Sequence, residues 1–324
     1  MGTGSRYPER VLVIGCGFLG GHIALGVARR AVDVRVLSRS FAPRVLRELP
    51  RRALISGDAR NQLTLERALA GIDEVVYCIG GLQPAQAELD PDRDASLVLA
   101  PLRQLVEALS GRPGISLTYL SSGGAVYGNP RHLPVTEDEP PKPIGAYAAA
   151  RLAGEQIVAR AHGLHGIPVR ILRCANVYGE EQPTDRGQGA VGVFLDRISR
   201  GQAIEVFGDG SVVRDFVYVG DLVEVIARLF GRGPGLTLLN VGSGRGTSLE
   251  GLIALLEAAL GRKATIVVRP QRDFDVRSVI LDVRQMRRLL GVDPLTLSEG
   301  LRRLVDLGDP AFGKSDPEPI AVAL

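Results

Sequence analysis

The sequence predicts a doubly wound α/β protein built on a parallel sheet, with a smaller C-terminal lobe. Short β-branched runs alternate with helical stretches through the first half of the chain, the rhythm of repeated βαβ units. Runs such as "VLVIG" and "EVVYCIG" are apolar at consecutive positions, as in strands covered on both faces. The first run leads into "GCGFLG", a glycine-rich turn placed where a helix should begin.

Strands are expected at 11–15, 34–37, 53–56, 74–79, 116–121 and 169–172, with helices near 20–30, 43–49, 63–70, 95–109 and 146–162. After Arg173 the rhythm gives way to loops rich in Gly, Asp and Gln. Short strands are expected there at 204–206 and 265–268, and helices at 249–260 and 283–290. These features divide the chain into a dinucleotide-binding part, 8–176, to which 214–245 returns, and a substrate lobe from 177–213 and 246–310. The stretch 311–324 has no period and is expected to be a flexible tail.

Of the 324 residues 45% are apolar and 23% charged, the profile of an ordinary globular chain. The net charge of +3 is spread over interspersed acids and bases, with no basic tract interleaved with aromatics, so no nucleic-acid partner is expected. Three scattered cysteines, Cys16, Cys78 and Cys174, fit a reducing compartment. No metal-type spacing occurs, and His162 and His165 read as capping or surface residues late in a helix. The apolar stretch 11–28 is long enough to resemble a signal or membrane segment. Its glycines and internal histidine instead fit a buried strand running into a helix, and a cytoplasmic protein with no membrane partner is expected.

Gly15, Gly17 and Gly20 form the GxGxxG pattern, which serves a tight turn, a bare backbone for a pyrophosphate, and close helix–strand packing. This is the fingerprint of a Rossmann fold. The second strand ends in Ser38 and Arg39, without the carboxylate that would bind a ribose 2′-hydroxyl and repel a 2′-phosphate, which favours NADP or tolerance of both cofactors. Arg39 could equally stack on adenine. Asp58, at the end of the third strand, is placed to accept from the adenine amino group.

Tyr147 and Arg151 lie four apart on an expected helix and share a face. A phenol beside a fixed cation can act as a base near neutrality, because the cation stabilises the phenolate. A solvated helix face is the alternative.

In order, "GCGFLG", "SSGGAVYG" (121–128), "YAAAR" (147–151), "RCANVYG" (173–179), "GDGSVVRDFVYVGDL" (208–222), "NVGSGRG" (240–246) and "RDFDVRSVILD" (272–282) resemble the extended short-chain dehydrogenases/reductases that act on nucleotide sugars, in the UDP-glucose 4-epimerase-like branch. The resemblance spans roughly 10–305. It implies an NAD(P) site lined by Gly15, Gly17, Phe18, Leu19, Gly20, Ser38, Arg39, Asp58, Ala59, Cys78, Gly80, Tyr147, Arg151 and Cys174. It makes Tyr147 the proton acceptor, assisted by Arg151 and Ser122, and implies substrate contacts from Gly123, Asn176, Arg214, Arg272 and Asp275. Three positions depart from the family pattern: Arg151 replaces a lysine, Gly123 a Ser or Thr, and Val98 a structural Asn in the preceding helix.

The resemblance further implies NAD as cofactor, a nucleotide-diphosphate sugar as substrate and a homodimer formed through the helices near 95–109 and 146–162. The expected activity is 4-epimerisation by transient oxidation at sugar C4. A 4-ketosugar reductase or other nucleotide-sugar oxidoreductase, and a noncatalytic nucleotide-sugar or NAD(P)-binding protein, are the alternatives.

Overall fold

A computed structural model describes residues 7–112, 114–184, 189–232 and 235–307, and the expected tail at 311–324 lies outside the described residues. The strands in chain order are β1 (Arg10–Ile14), β2 (Asp33–Ser38), β3 (Leu54–Ser56), β4 (Glu74–Tyr77), β5 (Ser116–Ser122), β6 (Val169–Cys174), β7 (Asn176–Tyr178), β8 (Ile204–Phe207), β9 (Val213–Tyr218), β10 (Leu236–Val241), β11 (Gly246–Ser248), β12 (Ile266–Arg269) and β13 (Ser278–Val279). Seven form one parallel sheet in the order β10-β6-β5-β4-β1-β2-β3. The order reverses between β1 and β4, so the carboxyl ends of these two strands open a crevice at the topological switch point.

The alternation of side chains along each strand divides the apolar residues between two cores. Val11 and Val13 of β1 face one cluster and Leu12 and Ile14 the other, all four fully buried. The helices Phe18–Ala28, Val219–Leu229 and Arg284–Leu290 cover the first face. Gln62–Leu69, Pro91–Ser110 and Gly145–His165 cover the second. Among the described residues no helix is long and apolar enough to cross a membrane.

The strand β10 takes the edge beside β6, whereas β9, expected in the main sheet, lies at the centre of a small sheet with β7, β11 and β13. The edge of β6 is already occupied by β10, and β7 follows β6 closely enough to draw β9 into its own register, Asn176 opposite Phe216. The helix after β9 packs back on Phe18–Ala28, where Gly26 leaves room for Val223. Two lobe helices, Ala190–Ser199 and Leu297–Asp306, stand where loops were expected, the second opened by a capping box between Thr296 and Glu299.

At the opposite end of the sheet from the crevice, Glu74 and Arg170 form a buried pair at 2.7 Å, with Thr118 as a further donor. Burial pushes the Glu74 carboxyl up and Arg170 opposes it. Breaking such a pair leaves an uncompensated buried charge at a cost of about 3–5 kcal/mol, more than the pair itself contributes. Arg170→Met is therefore expected to lower the denaturation midpoint strongly, and Glu74→Met with Arg170→Leu to recover most of the loss, as read by chemical unfolding.

Candidate active site

The glycine loop takes the shape its sequence requires. Gly15 has φ +95°, a conformation that side chains disfavour, and its amide donates to the Leu37 carbonyl at 2.8 Å. A Cβ at Gly20 would overlap the Gly15 carbonyl oxygen, so the helix start can approach the turn only without one. Around Gly17 and Gly80 a Cβ would meet nothing within 4 Å, which leaves bare backbone on the crevice side of β1 and β4. That open cradle at a helix N-terminus fits a dinucleotide pyrophosphate.

The predicted adenosine end is more occupied. Ser38 Oγ accepts from the Cys16 amide at 3.2 Å and so braces the glycine loop. Both Asp58 oxygens accept from Arg60, which with nearby Arg39 holds the Asp58 carboxyl below the usual carboxylate range. Arg39 itself is exposed. Ala59, Cys16 and Cys174 are buried; burial pushes the Cys174 thiol up to about 12 and raises those of Cys16 and Cys78. Phe18 and Leu19 open the first helix and pack partly against the lobe core.

Tyr147 lies in the first turn of Gly145–His165. The N-terminus of this helix is held from outside, since Glu88 Oε1 accepts from the Ala146 amide at 2.5 Å. Glu88 is 58 residues away, and no local pattern announces it. The Arg151 guanidinium carbon lies 4.5 Å from the Tyr147 ring centre, so phenol and cation do meet. Burial works against the Arg151 charge, but Tyr147, Tyr119 and Asp94 together outweigh it and hold the guanidinium above its ordinary value. Later on the same helix, His162 Nδ1 lies 2.8 Å from the Ile167 carbonyl oxygen, a capping contact. Among the described residues no group of His, Cys, Asp or Glu could hold a metal ion.

Ser122 ends β5, and the short turn Gly123–Val126 after it packs on the Tyr147 helix. Ser122 is half-buried and its hydroxyl makes no hydrogen bond among the described residues, whereas Ser121 is bound to Glu155 at 2.5 Å. A Cβ at Gly123 would lie 2.8 Å from both the Arg173 carbonyl oxygen and Leu281 Cδ1. Glycine is thus built into this position. Val98 is fully buried, and its carbonyl accepts from Tyr77 at 2.6 Å.

The lobe carries a second group of charged residues. Arg214, near the start of β9, donates to the Val213 and Val276 carbonyls, and burial holds its guanidinium below the usual value. Arg272 pairs with Asp275 at 2.8 Å and stacks 4.1 Å from Phe207 and 5.0 Å from Phe274. Asn176 Nδ2 donates to the Asp215 carbonyl at 3.3 Å, beside Gly124. An arginine backed by aromatic rings and paired with one acid can exchange that acid for a ligand anion, with Arg214 close by.

A bare glycine cradle at the switch point of a parallel sheet, in a chain whose tyrosine–cation pair lies near Tyr77 at the end of β4, is the arrangement of a dinucleotide-dependent enzyme of the doubly wound class. The chain belongs to the NAD dependent epimerase/dehydratase family, whose sequence model matches residues 11–242. It is 28% identical to a putative UDP-glucose 4-epimerase of Methanocaldococcus jannaschii over 90% of this chain and 95% of that one. Among solved structures it resembles UDP-glucose 4-epimerase of Thermotoga maritima with UDP-glucose (31% identity, TM-score 0.85, 92% of this chain and 97% of that one). It also resembles the UDP-glucose 4-epimerase of Thermus thermophilus in complex with NAD (29% identity, TM-score 0.84, 92% and 98%).

Reinstating the family hydroxyl by Gly123→Ser should fail, because the side chain would meet the Arg173 backbone carbonyl as well as Leu281 Cδ1. The expected outcome is a loss of about 1–3 kcal/mol from overpacking, with no gain in turnover, measured by thermal melting and steady-state rates.

Proposed function

We propose that the chain is an NAD-dependent nucleotide-sugar 4-epimerase acting on a UDP-hexose. The observation that carries this reading is the contact of the Arg151 guanidinium with the Tyr147 ring, and it is supported by the Arg272–Asp275 pair with Arg214 nearby in the lobe. When bound, NAD supplies the acceptor and donor of the sugar C4 hydride. Gly15, Gly17, Gly20 and Gly80 would hold its backbone, and Arg39 and Asp58 lie toward its adenosine.

Tyr147, as phenolate, takes the proton of the sugar 4-hydroxyl while C4 is oxidised, and returns it to the same oxygen when C4 is reduced. The Arg151 charge stabilises the phenolate between the two steps. Ser122 supplies a hydroxyl for the 4-oxygen in place of the absent residue 123 side chain. Arg214 and Arg272 hold the diphosphate, so that the 4-keto sugar can turn over about a fixed anchor and present its other face. A homodimer through the helices Pro91–Ser110 and Gly145–His165 belongs to the same reading.

Incubation with UDP-glucose and UDP-galactose, products resolved by NMR, should show interconversion without added cofactor turnover. Tyr147→Phe should lower the rate by about 10²–10⁴ with little change in sugar binding. Wild-type turnover in that variant would remove Tyr147 from the chemistry.

Cofactor choice is the finer part of the proposal. With no carboxylate at position 38 to repel a 2′-phosphate, NADP should bind within about tenfold of NAD, a difference of about 1.4 kcal/mol. Calorimetric titration of both cofactors decides this, and a thousandfold preference for NAD would leave Arg39 as an adenine-stacking residue only. A reductase drawing on NADPH is the second reading, which exposed Arg39 favours.

A further inference from the structure

Asp94 is fully buried in the first turn of Pro91–Ser110, a place where an acidic residue ordinarily faces solvent and the helix dipole, as exposed Asp92 does. Its Oδ1 accepts from the Leu82 amide at 2.6 Å and lies 3.8 Å from an Arg151 terminal nitrogen. Asp94 Oδ2 and Arg151 Nε, both buried, have no hydrogen-bond partner among the described residues. The carboxylate reaches this place only because residue 81 is glycine: a Cβ there would overlap Asp94 Oδ1 and stand 2.8 Å from Val98.

We propose that Asp94 is a positioning residue that acts on Tyr147 through Arg151, cancelling part of the field that the guanidinium exerts on the tyrosine ring. The pairing is loose and buried, so neither charge is screened by water and each is felt by the phenol. The ionisable groups around Arg151 are Tyr77 of β4, Tyr119 of β5, Asp94 and Tyr147. Burial raises the Tyr77 and Tyr119 phenols and the neighbouring Cys78 thiol, so none of these is charged near neutrality. Glu155, one turn further along, is committed to Arg173 and Ser121. Burial raises the Asp94 carboxyl as well, but Arg151 and the Leu82 amide oppose that shift, which leaves one cation, one carboxylate and one half-buried phenol. The departure from lysine to Arg151 is thus accompanied by an anion that tempers it.

This proposal rests on Tyr147 being the proton acceptor, and its test separates the two. In protein labelled with ¹³C at tyrosine Cζ, Tyr147→Phe assigns the Tyr147 resonance, and its alkaline titration is followed with no substrate present. Asp94→Asn keeps an acceptor for the Leu82 amide while removing the charge. The Tyr147 resonance is then expected to titrate at least about one pH unit lower than in wild type, a tenfold change in the ionisation constant. Asp94→Ser, also neutral, should move it the same way and serves if the Asn variant folds poorly. A resonance that stays, or moves upward, in these variants overturns the proposal. If the resonance falls but the acidic limb of kcat against pH does not follow, the role of Asp94 stands and Tyr147 is not the base. A residue that merely braced the Leu82 loop would move neither.

Discussion

The junction of the main sheet with the lobe depends on one buried carboxylate. Asp215 Oδ1 accepts from the Ser243 amide at 2.8 Å and hydroxyl at 2.7 Å, and Oδ2 from the Gly244 and Leu281 amides at 3.0 and 3.2 Å. Burial raises this carboxyl, and the four donors oppose that shift. Ser243 and Gly244 follow the edge strand of the main sheet, Leu281 leads away from β13, and Asp215 itself sits on β9. A single acid therefore ties the dinucleotide sheet to the lobe. Arg214 is its chain neighbour, and Asn176 donates to its carbonyl, so the lobe side of the crevice inherits its register from the same junction.

A second buried chain fixes the other wall. Ser121 and Arg173 meet on Glu155, and the Arg173 guanidinium lies 4.7 Å from the Tyr127 ring centre. Tyr127 donates to Asn240 Oδ1 at 2.7 Å, and the Asn240 amide donates to Glu137 at 2.9 Å. These residues link the ends of β5, β6 and β10 with the Tyr147 helix. Buried networks of this kind confer uniqueness more than stability, since every member must be placed for its neighbours to be satisfied.

The doubly wound sheet was legible because its strands are rich in β-branched and apolar residues: β1 is wholly apolar from Val11, β4 is apolar after Glu74, and a GxGxxG turn follows β1 directly. The helix Leu297–Asp306 was missed, although the capping box of Thr296 and Glu299 could have signalled it. The strand β9 reads as a strand, yet nothing in its residues says which sheet it joins; that is decided by β10 occupying the edge. Tyr147 and Arg151 could be paired by helical spacing. Asp94 and Glu88 could not, since their partners lie far along the chain and a lone acid in a helical stretch looks like solvated surface.

Gly81 and Asp94 stand in an asymmetric relation. Glycine at 81 tolerates many residues at 94, but aspartate at 94 in its present rotamer tolerates only glycine at 81, because the space a methyl would fill holds the carboxylate oxygen. A side chain can therefore be introduced at 81 only after position 94 has changed. Chimeras that exchange the loop after β4 without the helix that follows it will carry this incompatibility with them, even when both parent proteins fold.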